Sequence, residues 1–165
     1  MTRKFVFVAL LAVALAVPSM AMAQAKPDFS GKWIQDMEKS VMGGGPGGGG
    51  GGGGRGPAGP QTLTYAQTAT ELTIERETQN GVQKTVYKLD GCPSENAGGR
   101  GGAVTSKTVW EGSKLVTKYS RTMGENTIEV TETRSIEADG TLVVVSAMKG
   151  GPQGDTSRKT VFKKG

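Results

Sequence analysis

Nine stretches of this chain read as short β-strands, at 31–36, 61–68, 71–78, 82–89, 103–111, 114–121, 126–137, 141–149 and 156–163, and the clearest of them alternate apolar and polar residues with a period of two. In a pleated strand successive side chains point to opposite faces, so such a period defines one buried and one wet face. Leu72, Ile74 and Arg76 share a face; so do Leu115, Thr117 and Tyr119, and Ile128, Val130, Glu132, Arg134 and Ile136. The runs are rich in Thr, Val, Tyr and Ile, which suit a half-buried pleated surface. Asn80-Gly81, Glu111-Gly112, Gly124-Glu125, Asp139-Gly140 and Gly150-Gly151-Pro152 separate most of them with turn chemistry. No apolar-periodic helix of ten residues follows residue 24, so crossovers for a parallel sheet are missing. Only Asp36 to Ser40 suits a helical turn. The expected fold is all-β: an antiparallel up-and-down meander of eight or nine strands. Closure into a barrel would remove its exposed edges. A two-sheet sandwich is the alternative, and the short sequential connections leave it little room for Greek-key crossings.

The first 23 residues read as an export signal. Arg3 and Lys4 precede thirteen apolar residues, Phe5 to Val17, then Pro18-Ser19 and the small residues of Ala21-Met22-Ala23. That run is shorter than the roughly 20 residues a membrane-spanning helix needs. No cysteine follows it to carry a lipid. Cleavage after Ala23 leaves 142 of the 165 residues, enough for one domain with one core. The expected organisation is a signal at 1–23, an N-terminal segment and first strand at 24–41, a glycine-rich loop at 42–60, and the rest of the barrel at 61–165. Eleven glycines and Pro46 fill 43–54, a composition that predicts a disordered loop. It would span about 25 Å, enough to cross the open end of a small barrel without forming a packed lid. The expected location is the bacterial periplasm or the extracellular space.

The mature chain carries 18 basic and 15 acidic residues. This mild excess is no nucleic-acid footprint, and Arg55 and Arg100 in their glycine-rich settings read as loop residues. There is no histidine and a single cysteine, Cys92, placed in a loop by Gly91 and Pro93. Ser-His-Asp and Cys-His nucleophilic machinery and a thiolate zinc cluster are therefore excluded. No cofactor and no metal are expected, and no catalytic residue is assigned. A carboxylate pair inside the barrel is the only enzymatic route left open. The strand faces opposite the apolar stripes carry Glu75, Glu77, Lys118 and Glu129, which argues against a membrane-spanning barrel. Three arginines stand in register with the apolar stripes: Arg76, Arg121 and Arg134, the last beside Glu132. If the stripes face inward, these guanidinium groups would pair with the carboxylate of a fatty acid or a similar anion; the alternative is that they stand at strand ends open to water, or that a bulge flips the register by one. Tyr65, Tyr87, Trp110, Tyr119 and Ile128 are the expected cavity-lining residues, with Arg121 and Arg134 as the charged ones.

Phe29-Ser30-Gly31-Lys32-Trp33 opens the meander, with Asp36-Met37-Glu38-Lys39-Ser40 after it, Trp110-Glu111-Gly112 before Leu115, and Arg158-Lys159-Thr160-Val161-Phe162 at the close. This set resembles the calycin group of lipocalins, fatty-acid-binding proteins and avidins, and more closely small lipocalin-like secreted proteins of bacteria. The resemblance implies a barrel closed at one end by Trp33, with Gly31 beside it and Arg158 stacked over the indole. A guanidinium on an indole face would contribute about 0.5–2 kcal/mol. It also implies a non-catalytic, extracytoplasmic protein that binds a small apolar or amphipathic ligand. The alternative is an envelope or partner-interaction protein with a filled core.

Overall fold

The computed structural model describes residues 25–41, 59–78, 81–98, 102–123, 126–152 and 154–165. The expected export signal and most of the glycine tract lie outside the described residues. Ten antiparallel strands form one sheet: β1 (Gly31–Val41), β2 (Thr62–Gln67), β3 (Glu71–Thr78), β4 (Gly81–Lys88), β5 (Pro93–Ala97), β6 (Ala103–Glu111), β7 (Lys114–Met123), β8 (Asn126–Ile136), β9 (Leu142–Lys149) and β10 (Thr156–Lys164). Their order is β4-β3-β2-β1-β10-β9-β8-β7-β6-β5. Each strand thus pairs with its sequence neighbour except across one gap, and the meander curls into a barrel because β1 pairs with β10. All nine expected strands are present. The tenth is β5, between Cys92 and Arg100, both read from the sequence as loop residues. Pro93-Ser94-Glu95-Asn96-Ala97 has neither β-formers nor alternation, and it is a strand because it pairs with β6 from Lys107 to Ala103.

The two ends of the sheet, β4 and β5, meet along a seam joined by side chains. The Asn96 side-chain amide accepts from the Val86 N–H at 2.8 Å and donates to the Val86 carbonyl at 2.9 Å. Ser94 Oγ accepts from the Lys88 N–H at 2.8 Å. An exposed strand edge is a template for unwanted pairing, and here two polar side chains stand in for the missing ladder. Asn96 imitates a peptide group, with one donor and one acceptor aimed at one residue.

The expected turn at Asp36 to Ser40 is instead a bulge. Asp36 pairs with Val161 and Val41 with Lys159, so the ladder skips between them. Asp36 Oδ1 accepts from the N–H groups of Glu38 and Lys39, and Lys163 Nζ lies 2.8 Å from Oδ2. The Lys163 contact, with the two backbone N–H groups, holds this carboxyl below the usual carboxylate range. An aspartate at the head of a segment readily diverts nearby N–H groups from regular structure.

Asn96→Ala removes both hydrogen bonds of the seam. At about 0.5–1.5 kcal/mol each, the expected loss is about 1–3 kcal/mol. Chemical denaturation measures it, and the Val86 amide should exchange with solvent faster in the variant. An unchanged midpoint would mean that the seam is not held by Asn96.

Candidate functional site

The interior divides into an apolar floor and a polar upper cavity. Phe29, Trp33, Leu72, Leu115, Leu142 and Phe162 form the floor, each at most 3% exposed. Phe29 stacks on Trp110 with ring centroids 5.8 Å apart, and its carbonyl accepts from Trp33 Nε1 at 2.8 Å. Gln67 ties the approach of the chain by accepting from the Phe29 N–H and donating to the Pro27 carbonyl. Burying one such ring contributes about 1.5–3 kcal/mol. The opening motif therefore closes the barrel with two rings; Phe29 lies outside the β period, which is why alternation does not reveal it.

Lys164, not Arg158, covers Trp33. Its ammonium lies 5.5 Å from the indole centroid, and β1 and β10 pair Trp33 with Lys164. Arg158 and Lys164 share the inward parity of β10, so alternation alone cannot choose between them; the long-range register does. Gly31 has φ of +126°, and a Cβ there would come within 3.1 Å of Lys164 Cε. A side chain at position 31 would be strained and would crowd the cation.

Above the floor lies a cavity of about 550 Å³. This is within the range of about 300–1,000 Å³ typical of small-molecule sites. Leu63, Tyr65, Ile74, Tyr87, Val144 and Phe162 supply its apolar wall. Arg76, Arg121, Arg134 and Arg158 face it against one carboxylate, Glu132. The sequence left open whether Arg76, Arg121, Glu132 and Arg134 face inward; all four line the cavity. Tyr65, Tyr87, Tyr119, Arg121 and Arg134 come together in this cavity. Trp110 does not join them; it belongs to the closed end, against Phe29, with Lys26 Nζ 5.5 Å from its ring centroid. Ile128 is buried and is not part of the lining. It pairs with Arg121 near the turn after β9, where Gly151 approaches it. Arg158 and Arg76 line the cavity in addition to the residues singled out as ligand-binding.

One arginine differs from the other three. Arg134 is 4% exposed. Its Nη2 donates to Glu132 Oε2 at 2.6 Å and its Nη1 to Thr117 Oγ1 at 3.2 Å. The Thr117 and Thr108 hydroxyls are 2.9 Å apart, both fully buried. Tyr87 presents its ring to the guanidinium, 5.2 Å away. Tyr119 donates to Glu132 Oε1 at 3.2 Å, so both carboxylate oxygens are engaged. Burial is the largest effect and opposes the charge on Arg134; the Glu132 carboxylate, Tyr65 and Tyr87 together outweigh it, so the guanidinium stays protonated. Burial also raises the hydroxyl pKa of Tyr65, Tyr87 and Tyr119, with Glu132 adding to the effect. The result is a neutral ion pair wrapped by three neutral phenols. Arg134 Nε has no acceptor among the described residues.

Among the described residues no three His, Cys, Asp or Glu side chains come together as a metal-binding group. No described helix is long and apolar enough to cross a membrane. Glu75, Glu77, Lys118 and Glu129 are exposed on the outer face. Cys92 is exposed in the turn between β4 and β5, where the Asp90 carboxylate raises its thiol pKa.

No protein-family model and no curated protein matches this chain. Solved structures do. Zebrafish ileal bile acid-binding protein, complexed with cholic acid, superposes with a TM-score of 0.58 at 18% identity, over 83% of this chain and 98% of that one. A mutant form of a fatty acid transporter gives 0.55 at 15% identity, over 82% of this chain and 97% of its own. The unmutated transporter gives 0.53 at 10% identity, over 82% and 95%. The fold is a calycin-type barrel.

The ion pair and its phenols make two expectations measurable. Glu132→Gln leaves a buried guanidinium unpaired and should cost about 3–5 kcal/mol, whereas Glu132→Gln with Arg134→Met should cost less. Denaturant midpoints of the two variants decide this; equal losses would mean that the pair carries no coupling. The tyrosines give a pH limit. Their pKa values are raised on folding, so the unfolded chain releases its phenolic protons first, from about pH 10 upward. Stability should be level below that pH and fall above it, and Tyr87→Phe with Tyr119→Phe should flatten the fall.

Proposed function

We propose that this protein is an exported, non-catalytic binding barrel that takes one small amphipathic anion into its interior. The observation that carries the reading is the cavity of about 550 Å³, with four guanidinium groups against one carboxylate set over an apolar, aromatic floor. An amphiphile fits both halves: its apolar body removes the lower wall from water, and its anionic group meets the arginines. The neighbouring barrels support the ligand class, since one is complexed with cholic acid and another is named a fatty acid transporter. The export half of the proposal rests on residues 1–23. A filled core would suit an interaction protein, but a cavity of this size favours a ligand.

Titration calorimetry with cholate and with decanoate tests the reading. One molecule per barrel is expected. Ser146→Trp places a large ring from the β9 wall into the cavity and should weaken binding at least tenfold, with folding checked by thermal denaturation. Equal binding by the folded variant, or failure of cholate, decanoate and decyl phosphate all to bind, would overturn it.

A further inference from the structure

The four arginines of the cavity do not have one role. Arg134 is spent on Glu132 and Thr117, and no net charge remains at that level. Arg76, Arg121 and Arg158 are different: none has a carboxylate partner among the described residues. Their guanidinium groups meet only weak or neutral acceptors. Arg76 Nη2 donates to Gln83 Oε1 at 2.6 Å, and Arg121 Nη2 lies 3.3 Å from Met148 Sδ. The Arg158 guanidinium has no acceptor among the described residues.

The register brings two of these charges to one strand. Met148 and Ser146 are successive inward residues of β9; Arg121 reaches Met148 from β7, and Arg158 stands opposite Ser146 on β10. Arg76 lines the same cavity from β3, on the other side of β1 and β2. Arg76 and Arg121 are exposed and Arg158 half-buried, in contrast to the buried Arg134. Glu132 makes no pair with them: Tyr119 holds its Oε1 and Arg134 its Oε2.

We infer that the head group this cavity selects carries two negative charges, in the class of phosphate monoesters, and is held by Arg121 and Arg158 with Arg76 facing them. This deepens the amphipathic-anion reading and rests on it. A carboxylate would neutralise one of three unpaired guanidinium groups. A phosphate dianion has three terminal oxygens and the geometry to take two planar forks side by side. The tail then points down onto Tyr65, Tyr87 and Phe162. The anion is read at the mouth, not by the buried arginine.

The test uses the full chain and three probes of equal tail, decyl phosphate, decyl sulfate and decanoate, below their micellar concentrations. At pH 8 decyl phosphate should bind at least tenfold more tightly than either monoanion. Its affinity should rise between pH 5 and pH 8, as the second ionisation of a phosphate monoester, near pH 6, is passed. Decyl sulfate does not titrate there, so its curve reports any change in the protein itself and should stay flat; the arginines remain charged throughout. Arg121→Gln with Arg158→Gln should bring the phosphate-to-sulfate ratio below about threefold, whereas Lys118→Gln, a loss of charge outside the barrel, should leave the ratio intact. Equal affinity for all three probes in the wild type, or a ratio unmoved by the double variant, overturns the dianion inference and leaves the amphipathic-anion reading standing. Binding of none of them overturns that reading as well.

Discussion

A guanidinium with 4% of its area exposed is an unusual thing to build into a barrel this small, and the rest of the interior is arranged around it. Arg134 stays charged because Glu132 is 2.6 Å away, Thr117 accepts a second donor and Tyr87 covers its face. Removing either charge alone would leave the other without compensation, a penalty larger than most single contacts provide. Below the pair the interior is apolar and closed by Phe29, Trp33 and Trp110. Above it the interior widens into a lined cavity. The pair marks the boundary between a region that stabilises the fold and a region free to meet a ligand.

The topology makes that division possible. A ten-strand meander has two sheet ends to dispose of, and pairing β1 with β10 moves them from the chain termini to β4 and β5. There the backbones do not form a ladder, and Asn96 and Ser94 supply the hydrogen bonds instead.

Much of this was legible in the sequence. Strand-like runs between turn signals marked eight or nine strands and the antiparallel meander, and alternation put Arg76, Arg121, Arg134 and Glu132 in register with the apolar stripes without fixing which way those stripes face. It did so because the inner face of a barrel is one continuous stripe per strand. Three things were out of reach. β5 has no propensity of its own and exists through its neighbours. Lys164 and Arg158 share a parity, so which one covers Trp33 depends on a pairing between residues 131 positions apart, Trp33 and Lys164. Trp110 and Ile128 satisfy the inward pattern too, but alternation carries no depth. It does not separate the floor, where Trp110 sits, from the cavity wall.

The central claim is that the upper cavity holds a small anionic molecule. Native mass spectrometry of the full-length protein, purified from its own source and transferred gently, tests it most directly. The account predicts a barrel carrying one small acidic molecule, released intact on mild activation, and a lower occupancy in the Ser146→Trp variant. A barrel that arrives bare, and stays bare after incubation with single-chain amphipathic anions, would contradict it.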